Sequence, residues 1–102
     1  MGLLRLRWPF VVIFVLALSG CGYGEVSPVT YEYAKSLYNV TNRRLDDHLN
    51  KIHTQILESK ERGEISAKEA EWLLDIHAEA KKGNWETAMK SSRKLLEDQV
   101  QK

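Results

Sequence analysis

The sequence predicts an all-α fold, a small antiparallel helical bundle of three to four helices after a cleaved signal peptide. Apolar residues recur at intervals of three and four from residue 28 to the end of the chain, which is the spacing of a helix face. Gly63 and Gly83 interrupt this pattern, and glycine is a common residue just beyond the end of a helix. The connections at both glycines are short, so consecutive helices should be antiparallel neighbours.

Length and charge exclude several classes of protein. The chain has 102 residues, which is room for one small domain but not for a deep enzyme-sized cleft. The leader contains Arg5 and Arg7, and without them acidic residues outnumber basic residues by one. A nucleic-acid-binding surface requires a clustered excess of Lys and Arg, so we expect no nucleic-acid partner.

Residues 1–20 have the layout of a lipoprotein signal peptide. Two arginines precede an apolar run over residues 8–18, and these eleven residues are too few for a membrane span of ~20 residues. The run closes with Leu18-Ser19-Gly20-Cys21, which resembles the lipobox of bacterial lipoproteins. In that motif the bond before the cysteine is cut and the cysteine receives acyl chains such as palmitate. The resemblance implies a lipid-anchored protein on the exported side of the cell membrane, with the bilayer as a partner through Cys21.

Residues 21–27 are then the lipidated cysteine and a short tether. An aspartate directly after the lipidated cysteine is associated with retention in the inner membrane. This chain has Gly22 at that position. The location that this favours is the periplasmic face of the outer membrane, if the organism has two membranes. Six extended residues reach at most ~20 Å, so the domain over residues 28–102 should stay close to the bilayer. The alternative is an ordinary cleaved signal with a chance cysteine after it.

The first half of the domain predicts either two helices or one. Ser27 is suited to cap a helix that begins at Pro28 and continues to about residue 41, and the polar residues 42–44 predict a break. A second helix then covers about residues 43–62, with Gly63 as its left-handed cap. The apolar series continues in phase across the break, so one long bent helix is the alternative. The second helix buries Leu45, Leu49, Ile52 and Ile56.

The second half has clearer helix boundaries. Ser66 and Glu69 form a capping box at the start of a third helix, which ends at residues 82–83. Trp72 lies at the edge of the apolar face of this helix. A fourth helix begins after Asn84 with Trp85, which we expect in the core. The buried face of the third helix is Ala70, Leu73, Ile76, His77 and Ala80, and that of the fourth includes Ala88, Met89, Leu95, Leu96 and Val100.

Residues 43–100 resemble the helical-bundle domain shared by the steroid receptor RNA activator protein and the C-terminal region of the COPII outer-coat subunit. The matching features are Arg44-Leu45, the turn Gly63-Glu64-Ile65-Ser66, Leu73-Leu74 and Trp85-Glu86-Thr87-Ala88. The resemblance implies a fold and a non-enzymatic interaction module. It does not extend to the leader, the lipobox or the tether.

The histidines are candidates for metal binding. His48 and His53 are five residues apart, whereas two ligands on one helix face are usually three or four apart. His53 and His77 can meet across the second and third helices, so they are a candidate metal pair. The simpler interpretation gives all three histidines a structural role, with no cofactor.

These patterns predict a membrane-anchored small lipoprotein that acts as a non-catalytic helical protein-interaction module in the bacterial cell envelope. No nucleophile or phosphate-binding motif supports an enzyme. An envelope protein is the expected partner, with Trp72 and an exposed Tyr33 as contact residues. The alternative is a periplasmic sensor or modulator that binds a metal or small ligand through His53 and His77.

Overall fold

A computed structural model describes residues 23–100, so the leader, Cys21 and the last two residues lie outside the described part of the chain. The described residues form four α-helices and no strand, which confirms the all-α bundle. The helices are α1 (Pro28–Arg43), α2 (Asp46–Glu61), α3 (Ala67–Lys81) and α4 (Trp85–Val100). Within residues 23–100, none of them combines the length and the apolar character that a bilayer-crossing helix needs.

The helices α1 and α3 occupy the middle of the bundle, because each packs against all three of the others. The helices α2 and α4 lie on opposite sides and do not contact each other within the described residues. Around the outside of the bundle the neighbouring pairs are therefore α1 with α2, α2 with α3, α3 with α4 and α4 with α1. The largest buried side chains between the helices are Leu37, Leu49, Ile56, Leu73, Ile76 and Leu95.

The break between α1 and α2 is present, so the alternative of one long bent helix is wrong. Arg44 adopts a left-handed conformation with a φ of 55°, and the Leu45 amide donates to the Val40 carbonyl at 2.9 Å. A residue with a side chain pays ~1–2 kcal/mol for this conformation. The half-buried Leu45, which packs against the core, offsets part of that cost.

The predicted helix boundaries at the two glycines are confirmed. Gly63 and Gly83 have φ values of 75° and 90°, which glycine adopts without the steric penalty of a Cβ. The capping box at α3 is complete: the Ser66 hydroxyl accepts from the Glu69 amide, and the Glu69 carboxylate accepts from the Ser66 amide. Ile65, which precedes the box, is buried in the core.

The predicted burial of Tyr33 and of Val100 is wrong, and Trp85 is less buried than predicted. The sequence predicts an exposed Tyr33, but the residue is half-buried, because its hydroxyl reaches across to α2. The sequence predicts Val100 on the buried face, but as the last residue of α4 it is 75% exposed. Trp85 packs against the core at its edge and is half-buried, so its removal should cost less than that of a fully buried ring.

Glu69 connects the start of α3 to the start of α1. The residue is only 9% exposed, and its carboxylate accepts hydrogen bonds from the Ser66 amide at 2.8 Å and from the Ser27 amide at 2.5 Å. The Ser27 hydroxyl in turn accepts from the Thr30 amide and so caps α1. Burial alone would raise the pKa of Glu69, but the hydrogen bonds from the two serines outweigh it and the pKa is lowered. One carboxylate thus fixes the ends of two helices.

Replacement of Glu69 by Ala should lower the free energy of unfolding by about 2–3 kcal/mol, because hydrogen bonds to a charged group contribute ~1.5–3 kcal/mol. Urea unfolding followed by circular dichroism measures the loss, and Glu71→Ala, an exposed site on the same helix, is the matched control. Equal losses in the two variants would contradict this role.

The Glu69 contribution should also depend on pH. Because the pKa of Glu69 is lowered, the stabilisation by its carboxylate is complete above pH 4.5, the ordinary pKa of the group. This stabilisation is lost as the pH falls through the folded-state pKa. The stability difference between wild type and Glu69→Gln should therefore shrink in acid.

Candidate functional site: the strap face and the histidine pair

Residues 23–27 form a strap, because they have no regular secondary structure but are held against α3 and α4. The Tyr23 amide donates to the Asp98 carboxylate at 2.7 Å. The Gln99 side chain accepts from the Val26 amide at 3.1 Å and donates to the Gly24 carbonyl at 2.9 Å. The segment that the sequence suggests as a tether is therefore attached to the bundle over its described length.

The aromatic ring of Tyr23 closes the strap onto α3. It packs edge to face with the Trp72 ring, with a centroid distance of 5.3 Å and an interplanar angle of 80°, a favourable arrangement for two aromatic rings. Burial, together with the charges of Asp75 and Asp98, raises the pKa of the Tyr23 hydroxyl, although its hydrogen bond to Ser91 acts in the opposite direction.

The strap lies at one end of a groove between α3 and α4. Tyr23 lines this groove, and so do Asp75, Ile76, Ala78, Glu79, Lys82, Thr87 and Ser91. The groove is open to solvent and its lining contains more small and charged side chains than large apolar ones. It is therefore an open, mostly polar groove that does not enclose a small molecule.

The two predicted contact residues lie on different sides of the bundle. Trp72 is half-buried, and the strap covers one part of its ring. The Tyr33 hydroxyl hydrogen-bonds to the Gln55 carbonyl at 2.9 Å and to the Ser59 hydroxyl at 2.6 Å, so it connects α1 to α2. The structure gives both residues partners within the chain and does not bring them together into one patch.

The two candidate metal ligands are brought together. The rings of His53 on α2 and His77 on α3 have a centroid distance of 4.7 Å and an interplanar angle of 36°. His77 is only 8% exposed, whereas His53 is half-buried and His48 is exposed. The sequence therefore placed the right two histidines opposite each other, and the third faces solvent.

The hydrogen bonds of His77 determine its tautomer. Its Nε2 is buried and has no hydrogen-bond partner, so its hydrogen bond to the Leu49 backbone must come from Nδ1. This bond raises the pKa of His77, as a bond to a carbonyl acceptor does. Nδ1 thus carries the proton, and Nε2 is left with an unpaired lone pair.

The surroundings of His77 disfavour its charged form. Burial lowers its pKa, and its electrostatic interactions with His53 and Lys81 lower it further. An unpaired imidazole nitrogen whose other nitrogen donates to a backbone carbonyl is the arrangement of many metal ligands. Against this, Lys81 is close, and no group of three or more His, Cys, Asp or Glu side chains in residues 23–100 is arranged to hold a metal.

Comparison of the chain with known protein families, curated proteins and solved structures finds no match. The resemblances of residues 18–21 to a lipobox and of residues 43–100 to the helical-bundle domain therefore stay predictions.

Acidification should destabilise the protein through His77. Because the folded-state pKa lies below the ordinary value of 6.5, the contribution of neutral His77 is complete above that pH and is lost as the pH falls below it. We expect the loss to approach ~1.4 kcal/mol per pH unit at most. Urea unfolding from about pH 8 to about pH 5 measures it. The His77→Leu variant should lack this part of the pH dependence, and the control His48→Ala should retain it. Parallel profiles of unfolding free energy against pH for wild type and His77→Leu would refute the effect.

Proposed function

We propose that the protein is a small bacterial lipoprotein, anchored in the membrane by acylated Cys21, whose helical bundle acts as a non-catalytic protein-interaction module of the cell envelope. The observation that supports it most directly is the strap. The described body begins two residues after Cys21 and is attached to α3 and α4 from Tyr23 onwards. A lipid on Cys21 would therefore hold a body of defined shape close to the bilayer.

The surface of the bundle suits docking to another protein. Its exposed charges are of both signs and several form pairs along one helix, such as Glu86 with Lys90 and Arg93 with Glu97. Such pairs contribute little to stability but keep the surface soluble. An unidentified envelope protein is the partner that this proposal requires, with Trp72 and Tyr33 as the proposed contacts.

Lipidation is tested by metabolic labelling with palmitate. Replacement of Cys21 by Ser removes the only thiol of the chain, so the label should be lost from the protein. Gly22→Ser, which changes the neighbouring residue and keeps the cysteine, is the matched control and should retain the label. Undiminished labelling of the Cys21→Ser variant would exclude the anchor.

A metal-dependent sensor or modulator is the second candidate function, and the unpaired Nε2 of His77 beside His53 is the observation that favours it. Two imidazoles supply part of a site for a divalent transition-metal ion, and water would complete the coordination. The nearby charge of Lys81 should weaken binding.

Titration of Zn²⁺ or Cu²⁺ into the purified mature protein, followed by calorimetry, separates the two functions. One bound ion per chain, lost in His53→Ala and in His77→Ala but retained in His48→Ala, would favour the sensor. If these variants and wild type do not differ, the histidine pair is a packing feature.

A further inference from the structure

His77 has one ring nitrogen that is already used and one that is not. Its Nδ1 donates to the Leu49 backbone, so the lone pair of Nε2 is left to bind an electron-pair acceptor. Among the described residues, this Nε2 is the only buried side-chain nitrogen or oxygen that has no hydrogen-bond partner. Buried polar atoms nearly always have a partner. The atom therefore points to a ligand of the protein as its partner.

His53 supplies a second imidazole at the same place. Its ring centroid lies 4.7 Å from that of His77. Two imidazole nitrogens that bind one metal ion through bonds of ~2 Å are at most ~4 Å apart. The His53 ring is half-buried at the surface of α2, so a small rotation can bring one of its nitrogens within this distance of Nε2. The pair thus offers two nitrogen ligands, one from α2 and one from α3.

The number of ligands selects the kind of ion. In residues 23–100 no group of three or more His, Cys, Asp or Glu side chains is arranged to hold a metal. Zn²⁺ in proteins takes three or four protein ligands. The copper(I) ion, Cu⁺, has a filled d shell and forms stable linear complexes with two nitrogen donors, and imidazole suits copper. The two histidines are therefore a complete ligand set for Cu⁺ and an incomplete one for Zn²⁺.

The charge around the pair selects the same ion. Neutral imidazoles donate electron pairs but do not neutralise the ion, and the charge of Lys81 acts on His77. The cost of moving an ion from water into a protein interior rises with the square of its charge, so a divalent ion costs about four times as much as a monovalent one. Repulsion by Lys81 is also about twice as large for a divalent ion.

We propose that Nε2 of His77 and a ring nitrogen of His53 bind one Cu⁺ ion between α2 and α3. This proposal rests on the metal-dependent sensor or modulator, the second candidate function, and names its ion. Binding forms two copper–nitrogen bonds from the lone pairs of neutral imidazoles. No proton is released from the rings, and the ion is neither oxidised nor reduced.

Anaerobic competition for Cu⁺ with the chelator bicinchoninate tests the proposal. The full chain is purified in detergent with Cys21→Ser in every variant, because a thiol also binds Cu⁺ and Cys21 is the only one in the chain. This chain should withdraw one Cu⁺ from the chelator. X-ray absorption at the copper edge should show two nitrogen neighbours at ~2 Å and no sulfur.

Variants of the three histidines locate the ion. Loss of an outer-sphere partner already weakens metal binding by ~10–100-fold, so loss of a ligand in His53→Ala or His77→Leu should weaken Cu⁺ binding by about a hundredfold or more. Leucine fills the space of the buried His77 ring and keeps the core packed, and circular dichroism checks that each variant is folded. His48→Ala, an exposed site on α2, is the control and should bind Cu⁺ as tightly as the parent chain.

The same variants are titrated with Zn²⁺, which separates the proposal from the function on which it rests. Zn²⁺ binding at His53 and His77 that is as tight as Cu⁺ binding would overturn the choice of ion and leave a divalent metal sensor in place. If neither ion distinguishes the His53 and His77 variants from the parent chain, both the copper site and the sensor function are overturned.

Discussion

The carboxylate of Glu69 is the interaction on which the arrangement of the bundle depends most. A domain of this size without an internal disulfide has to define its helix ends by hydrogen bonds and packing. Glu69 closes the capping box of α3 and also accepts from Ser27, the residue that caps α1. The two central helices therefore begin at one shared point, and the strap that precedes Ser27 enters from a fixed direction. A neutral side chain could fill the same space but would not accept from both serines as strongly.

Much of the fold could be predicted because local and global signals agree. The capping box, the two glycine turns and the apolar face of α3 depend on residues close together in sequence. The break at Arg44 could only be suggested, since no glycine marks it and the left-handed conformation is adopted by an arginine. It is maintained by the packing of Leu45 against the core. Contacts between distant residues, such as that of Tyr33 with Ser59, were missed because periodicity does not show which polar tip meets a partner.

For the histidine pair too, the sequence predicts which residues meet but not how they are hydrogen-bonded. The positions of His53 and His77 on the facing sides of α2 and α3 could be predicted from the helical period. The tautomer of His77 could not, because it depends on the Leu49 carbonyl and on an unpaired Nε2, both of which arise only after the helices pack. A buried, unpaired nitrogen costs free energy. The pair therefore either reduces stability in return for a function or is tolerated because the surrounding core is sufficient.

The strap fixes the segment that precedes α1. A free segment of the same length would sample many conformations, since glycine-containing segments are flexible. Tyr23 and Gln99 remove that freedom by attaching the segment to α3 and α4. Each contact is individually small, but together they act over five residues. The chain therefore leaves the bundle from a fixed point, because the Tyr23 amide donates to Asp98 in the last turn of α4.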